Sequence, residues 1–125
     1  ASGGKAALYM THAYVKPHKK YVPGMIDDIK STYVKAGNDN ETLVIPVGLA
    51  FEMAYRIRPD IKLHKEFDGT HPSLLGTYLA ANVVFATLFN SSPIGLEYNY
   101  FDTVSDEDRE FLQKIATATV AEFFK

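Results

Sequence analysis

The sequence contains no cysteine, which excludes a disulfide framework, a zinc–thiolate site and a thiol nucleophile together. That absence leaves the cellular compartment open. Excess basic charge is missing too: 13 Lys and Arg stand against 15 Asp and Glu, for a net charge of −2. A dedicated nucleic-acid binder would carry a basic stripe or patch, and the one basic cluster, Lys16, His18, Lys19 and Lys20, reads as a solvated helix start. Nor is there a long hydrophobic run. The greasiest stretch, Leu74–Phe89, includes Thr77, Asn82 and Thr87 and falls short of the roughly 20 apolar residues that span a bilayer. It reads as a buried core helix. No leader-like segment opens the chain, since Ala1, Ser2, Gly3 and Gly4 form a loop and the next apolar run is short and includes His12.

What is present is a chain of 125 residues, 46% of them hydrophobic, the length and composition of a single domain with a real core. Residues 5–13 form an apolar run of strand length ending near His12. Residues 19–36 carry Tyr21, Met25, Ile29, Tyr33 and Val34 at helical spacing, with Pro23 in the first turn of the helix proper and Gly37 and Asn38 as its stop. Residues 42–47 are a second, β-branched strand, residues 49–58 a short helix, and residues 61–63 a short strand or an extended connection. Pro72 suits the first position of the next helix, which makes His71 its N-cap, and that helix is apolar nearly all round, so both its sides should be covered. Gly76, Ala80 and Ala81 would let it approach a sheet closely. Ser105 followed by Asp108 resembles a capping box opening a last helix over 106–124, with Phe111, Leu112, Ile115, Thr119 and Phe123 on one face. Strands alternating with helices predict an α/β layer with a small parallel sheet whose edges need covering.

The residues with chemical potential gather in Phe67-Asp68-Gly69-Thr70-His71-Pro72-Ser73. Across a turn, the Asp68 carboxylate can accept a hydrogen bond from one imidazole nitrogen of His71, fixing its tautomer and leaving the other nitrogen free to take a proton. Spacing alone also fits a plain turn followed by a capped helix, because the pattern is short. His64, Glu66, Asp68 and His71 form H-x-E-x-D-x-x-H, with the first three on one face of an extended segment. This matches no standard zinc spacing, so neither a metal nor a cofactor is expected. His12 stands at the predicted C-terminal end of one strand and Pro46, Val47 and Gly48 at the end of the next, where open α/β sheets place their sites. His12, Pro46 and Val47 are therefore candidate substrate-binding residues, or simply loop and helix entry. His18 and His64 read as surface residues. Tyr98, Tyr100 and Phe101 either close over a substrate or pack the last helix onto the sheet.

Taken in order, Leu8-Tyr9-Met10-Thr11, Val44-Ile45-Pro46-Val47-Gly48-Leu49-Ala50, the Asp68-to-Ser73 block, Gly76-Thr77-Tyr78-Leu79-Ala80-Ala81 and Ser92-Pro93-Ile94-Gly95-Leu96 resemble the C-terminal part of SGNH (GDSL-type) hydrolases over residues 4–96. The resemblance implies a partial flavodoxin-like three-layer α/β/α sandwich. It makes Asp68 the acid and His71 the base of a Ser-His-Asp triad acting on an ester or an acylated carbohydrate. In that family the Ser nucleophile and the oxyanion donors lie in blocks that precede this portion. Ser2 has no strand to present it, and Ala36-Gly37-Asn38-Asp39 lacks a leading Gly and follows a helix. Loss of one oxyanion donor typically costs on the order of 3 kcal/mol of transition-state stabilisation. The expectation is thus a single domain over 1–125 that carries half a triad and has little or no activity alone. The alternative is a non-catalytic, oligomeric binding or scaffolding domain of the same descent. Either way, its exposed strand edge would be covered by a homo-oligomer partner or by a missing N-terminal half.

Overall fold

The two β-branched and apolar runs become strands β1 (Ala7–Tyr9) and β2 (Leu43–Ile45), with helix α1 (Met25–Asn40) between them and α2 (Val47–Ile57), α3 (Leu74–Phe89) and α4 (Asp106–Phe123) after. The structure, a computed structural model, describes residues 3–125, so Ser2 lies outside the described residues. β1 and β2 pair in parallel with Leu8 opposite Val44, and α1 is the crossover between them. The architecture is mixed α/β, with four helices and a small two-stranded parallel sheet. Residues 61–63 form the extended connection and not a third strand; the nearest pairing is a single antiparallel bridge between His64 and Pro72.

Several boundaries differ from those expected, each for a local reason. β2 stops at Ile45 because Pro46 has no N–H for the ladder and instead forms the N-cap of α2. β1 is shorter than residues 5–13 because the chain beyond Met10 turns its hydrogen bonds elsewhere: Gly48 N–H reaches Met10 O at 3.0 Å and Val15 N–H reaches Gly69 O at 2.8 Å. Pro23 lies outside α1, which begins after Gly24 in a left-handed conformation. That helix runs through Gly37 and Asn38 and ends where Glu41 turns left-handed at φ 49°. His71 is not the N-cap of α3. The Pro72–His64 bridge holds that segment extended, and Ser73 caps the helix, its Oγ accepting Gly76 N–H at 3.1 Å while donating to Lys62 O at 2.6 Å. At α4 Ser105 is the N-cap, its Oγ accepting Asp108 N–H at 3.1 Å, while Asp108 Oδ1 accepts from Arg58 Nη1 at 3.1 Å.

The core lies between the helices. Val47, Ala50, Phe51 and Ala54 of α2 meet Tyr78, Leu79 and Val83 of α3 and Leu112, Ile115 and Ala116 of α4. Burial of each large aliphatic side chain there contributes about 1.5–3 kcal/mol. α3 is covered along most of its length, but Leu88 and Phe89 at its C-terminal end are exposed. Its Gly76 approaches the connection at Leu63, where a Cβ would overlap the Leu63 carbonyl oxygen and stand 3.1 Å from Phe51 Cζ. The expected close approach of α3 is therefore to a backbone strand-like connection. Gln113, buried on α4, ties down the aromatic loop: its amide donates to Leu96 O at 2.8 Å and its Oε1 accepts Gly95 N–H at 3.2 Å. Tyr78 Oη donates to Tyr98 O at 2.7 Å, so this loop packs on α3 and α4, with Phe101 left exposed at its tip.

His64 is buried rather than on the surface, and both ring nitrogens are satisfied. Nε2–H donates to Ala13 O at 2.9 Å, and Nδ1 accepts from Tyr55 Oη at 2.7 Å. The same Tyr55 hydroxyl accepts Leu63 N–H at 3.2 Å. Burial pushes the His64 imidazole below its ordinary value, opposed by the Ala13 acceptor and the Asp68 charge and reinforced by His12.

Replacing Gly76 by Ala should destabilise the fold by about 2–3 kcal/mol, the upper range for overpacking, because backbone and not a flexible side chain blocks the new methyl. Urea midpoints report this, and an unchanged midpoint would show that α3 can move off Leu63. The His64 contribution has a defined sign with pH. Its folded value lies below the ordinary 6.5, so its stability is complete above that pH and is lost as pH falls below it through the folded value. Midpoints recorded downward from about pH 8 should begin to fall near pH 6.5, by up to about 1.4 kcal/mol per pH unit, and less in His64→Gln.

Candidate functional site

The Asp68–His71 turn is shaped by backbone hydrogen bonds before any side chain acts. Lys65 N–H donates to His71 O at 2.8 Å and Gly69 N–H to Lys65 O at 3.0 Å, folding the segment back on itself. Gly69 is left-handed at φ 66°, and a Cβ there would overlap the Val15 carbonyl oxygen, so this corner admits glycine alone. Its own carbonyl receives Val15 N–H, which fastens the turn to the chain leaving β1.

Within that frame Asp68 receives three hydrogen bonds. Oδ1 accepts Thr70 N–H at 3.0 Å and His71 N–H at 3.1 Å, while Oδ2 accepts from His71 Nδ1 at 2.5 Å. The Thr70 amide, with the His71 ring and amide, holds the Asp68 carboxyl down at about 2 against the opposing effect of desolvation. Asp68 is thus a carboxylate at neutral pH and fixes His71 with its proton on Nδ1 and a bare Nε2. The His71 side chain is 70% exposed and that of Asp68 20%, so the orienting group is sheltered and the proton acceptor is open. Among the described residues no hydroxyl is hydrogen-bonded to His71, and the nearby Ser73 Oγ is engaged in capping α3.

The other sequence candidates sit differently. Pro46 and Val47 are packed in the interior at the start of α2, with Val47 in the core cluster. His12 is half-buried, and its Nε2 lies 2.6 Å from Thr70 O. Its ring stacks on Phe51 at 4.7 Å and meets His64 edge-on at 4.8 Å. His18 is also half-buried, stacked on Tyr14 at 4.0 Å. His64, Glu66, Asp68 and His71 do not converge, and among the described residues no three His, Asp or Glu side chains are placed to hold a metal ion. The His12–Phe51–His64–Tyr55 cluster beneath the turn escapes sequence reasoning, because His64 meets Ala13 across 51 positions and no periodicity signals such a contact.

Two cavities flank this region without including the pair. One, of about 210 Å³, is lined by His64, Tyr55, Phe51, Tyr14 and Tyr21. A larger groove of about 1010 Å³ runs between α1, β2, α2 and the end of α4, past Val34, Leu43, Met53, Arg56 and Phe123. Among the described residues no helix is long and apolar enough to cross a membrane.

No family model matches the chain, and no curated protein does. Among solved structures it is similar to a DUF4886 family protein from Bacteroides uniformis, with a TM-score of 0.81 and 20% identity over 100% of this chain and 51% of that one. At that identity the likeness is one of fold. The chain spans about half the length of the structure it matches. These findings overturn the resemblance to SGNH hydrolases. The blocks that carried it are short and spread over β1, the β2–α2 junction, the turn before α3, α3 itself and the loop after it, and short patterns of this kind recur in unrelated α/β chains. What the chain is similar to is a DUF4886 family fold.

Proposed function

We propose that Asp68 and His71 are the acid–base arm of a hydrolytic site for an ester or an acylated carbohydrate, completed by polypeptide outside residues 1–125. The observation that carries this reading is the 2.5 Å bond from His71 Nδ1 to a carboxylate that three donors hold ionised, on an imidazole whose side chain is 70% exposed. In such a pair Asp68 orients the ring and stabilises the imidazolium, and His71 Nε2 draws a proton from a hydroxyl or from water. The nucleophile and the oxyanion donors come from elsewhere, since among the described residues no hydroxyl is hydrogen-bonded to His71 and that of Ser73 is committed to the helix cap. The same reading extends the two-stranded sheet into a wider parallel sheet within a three-layer α/β/α sandwich. Ala7 and Tyr9 on β1 are exposed, and only β2 pairs with that strand among the described residues.

Without a nucleophile the chain acts through water, so its rate is low but depends on His71. Hydrolysis of p-nitrophenyl acetate by the purified chain should exceed the buffer rate and fall by about tenfold or more in His71→Ala, a modest share of what general base catalysis supplies in a complete site. Equal rates for both proteins at the buffer background would remove the hydrolytic reading for this chain.

A further inference from the structure

Below the Asp68–His71 pair, the half-buried His12 makes one directional contact, from Nε2 to the carbonyl of Thr70 at 2.6 Å. Thr70 is also the residue whose N–H donates to Asp68 Oδ1 at 3.0 Å. A single residue is thus gripped from below through its carbonyl and grips the carboxylate through its amide. We infer that His12 is a positioning residue: through an N–H on Nε2 it holds Thr70 so that the Asp68 carboxylate is aimed at His71. This rests on the reading of Asp68 and His71 as an acid–base pair.

The tautomer follows from geometry. A bare Nε2 would set two lone pairs against each other at 2.6 Å from a carbonyl oxygen, so the proton is on that nitrogen. The other nitrogen, Nδ1, is buried with no hydrogen-bond partner among the described residues, an arrangement that costs less for an unprotonated acceptor than for a stranded N–H. The ring has little freedom to turn away. Phe51 lies parallel to it at an interplanar angle of 10°, and His64 closes its edge at 83°. His64 is in turn pinned by Tyr55 and by Ala13 O, so the ring that aligns His12 is itself fixed. Glycine at position 69 completes the arrangement by bringing the turn against Val15, next to this stack.

The role is read on the Asp68 carboxyl, which does not require turnover. In the unmodified chain, NMR titration should find Asp68 at about 2, where the Thr70 amide is its leading stabiliser. His12→Leu keeps apolar volume against Phe51 but has no donor, and Asp68 should move up toward the ordinary carboxylate value near 3.8. His12→Gln offers an amide N–H in place of Nε2 and should return Asp68 close to its starting value. A side chain that merely fills space would lower the unfolding midpoint in both variants and leave Asp68 unmoved in the folded protein. An Asp68 titration identical in His12→Leu and the unmodified chain would overturn the inference. Should His12→Leu not fold, the imidazole nitrogen spectrum of the unmodified chain still decides: a proton on Nδ1 of His12 overturns the inference, and one on Nε2 sustains it. Should Asp68 respond as expected while p-nitrophenyl acetate is not turned over, His12 positions the pair and the hydrolytic reading is what fails.

Discussion

The arrangement of this chain depends on how the segment leaving β1 is joined to the turn that precedes α3. A parallel pair of three-residue strands supplies few ladder hydrogen bonds. The chain beyond Met10 is therefore secured by Val15 N–H to Gly69 O, His64 Nε2 to Ala13 O and His12 Nε2 to Thr70 O, at 2.8, 2.9 and 2.6 Å. These contacts close loops of 51 residues and more, and the entropy of closure rises only slowly with length. Once made, they bring the start of the chain, the α2–α3 connection and the N-terminus of α3 into one junction. The Asp68–His71 pair sits on top of it.

A junction built from imidazoles needs its buried nitrogens accounted for. His64 meets that demand fully, donating to one partner and accepting from another, which is why a nearly inaccessible polar ring is tolerated beside Phe51 and Tyr55. His12 meets it on one side only. The difference fits their places. His64 braces two backbone segments within the interior, whereas His12, half-exposed, makes its one strong contact to the carbonyl of the turn above it. Burial disfavours charge on the inner ring, His64, while the hydrogen bonds of the turn favour it on Asp68.

The helices, the parallel pairing and the Asp68–His71 bond are legible in the sequence because each follows from local rules. Helical spacing of apolar residues gives α1, α2 and α4, Ser105 with Asp108 opens α4, and a three-residue separation brings a carboxylate to an imidazole across a turn. What was not legible depends on residues far apart in the chain. His71 looks like the cap of α3 until Pro72 is seen bridged to His64, which delays the helix to Leu74. His64 looks like a surface residue until Ala13 and Tyr55 are seen to bury it. The strand-like run at 5–13 keeps only three residues in the ladder because its later residues are claimed by the 63–71 segment. The family resemblance failed for a related reason. Short blocks of common residues report local structure faithfully and descent poorly.

An acid–base pair of this geometry is oriented but unprotected. Its carboxylate is sheltered and its imidazole open, so water competes at Nε2 and weakens every charge interaction there. Efficient proton transfer to a substrate requires the opposite, a site from which water is excluded so that fixed dipoles act at full strength. Neither of the two cavities described above provides it, since neither is lined by Asp68 or His71. On the proposed hydrolytic reading, whatever completes the site covers His71 from the solvent side as well as bringing a nucleophile to it. The turn is suited to that role because its backbone is fixed in advance by Gly69, Val15 and Thr70, so closure over it need not reshape the pair. Preorganisation of this kind lowers the entropic cost of assembling a reactive geometry.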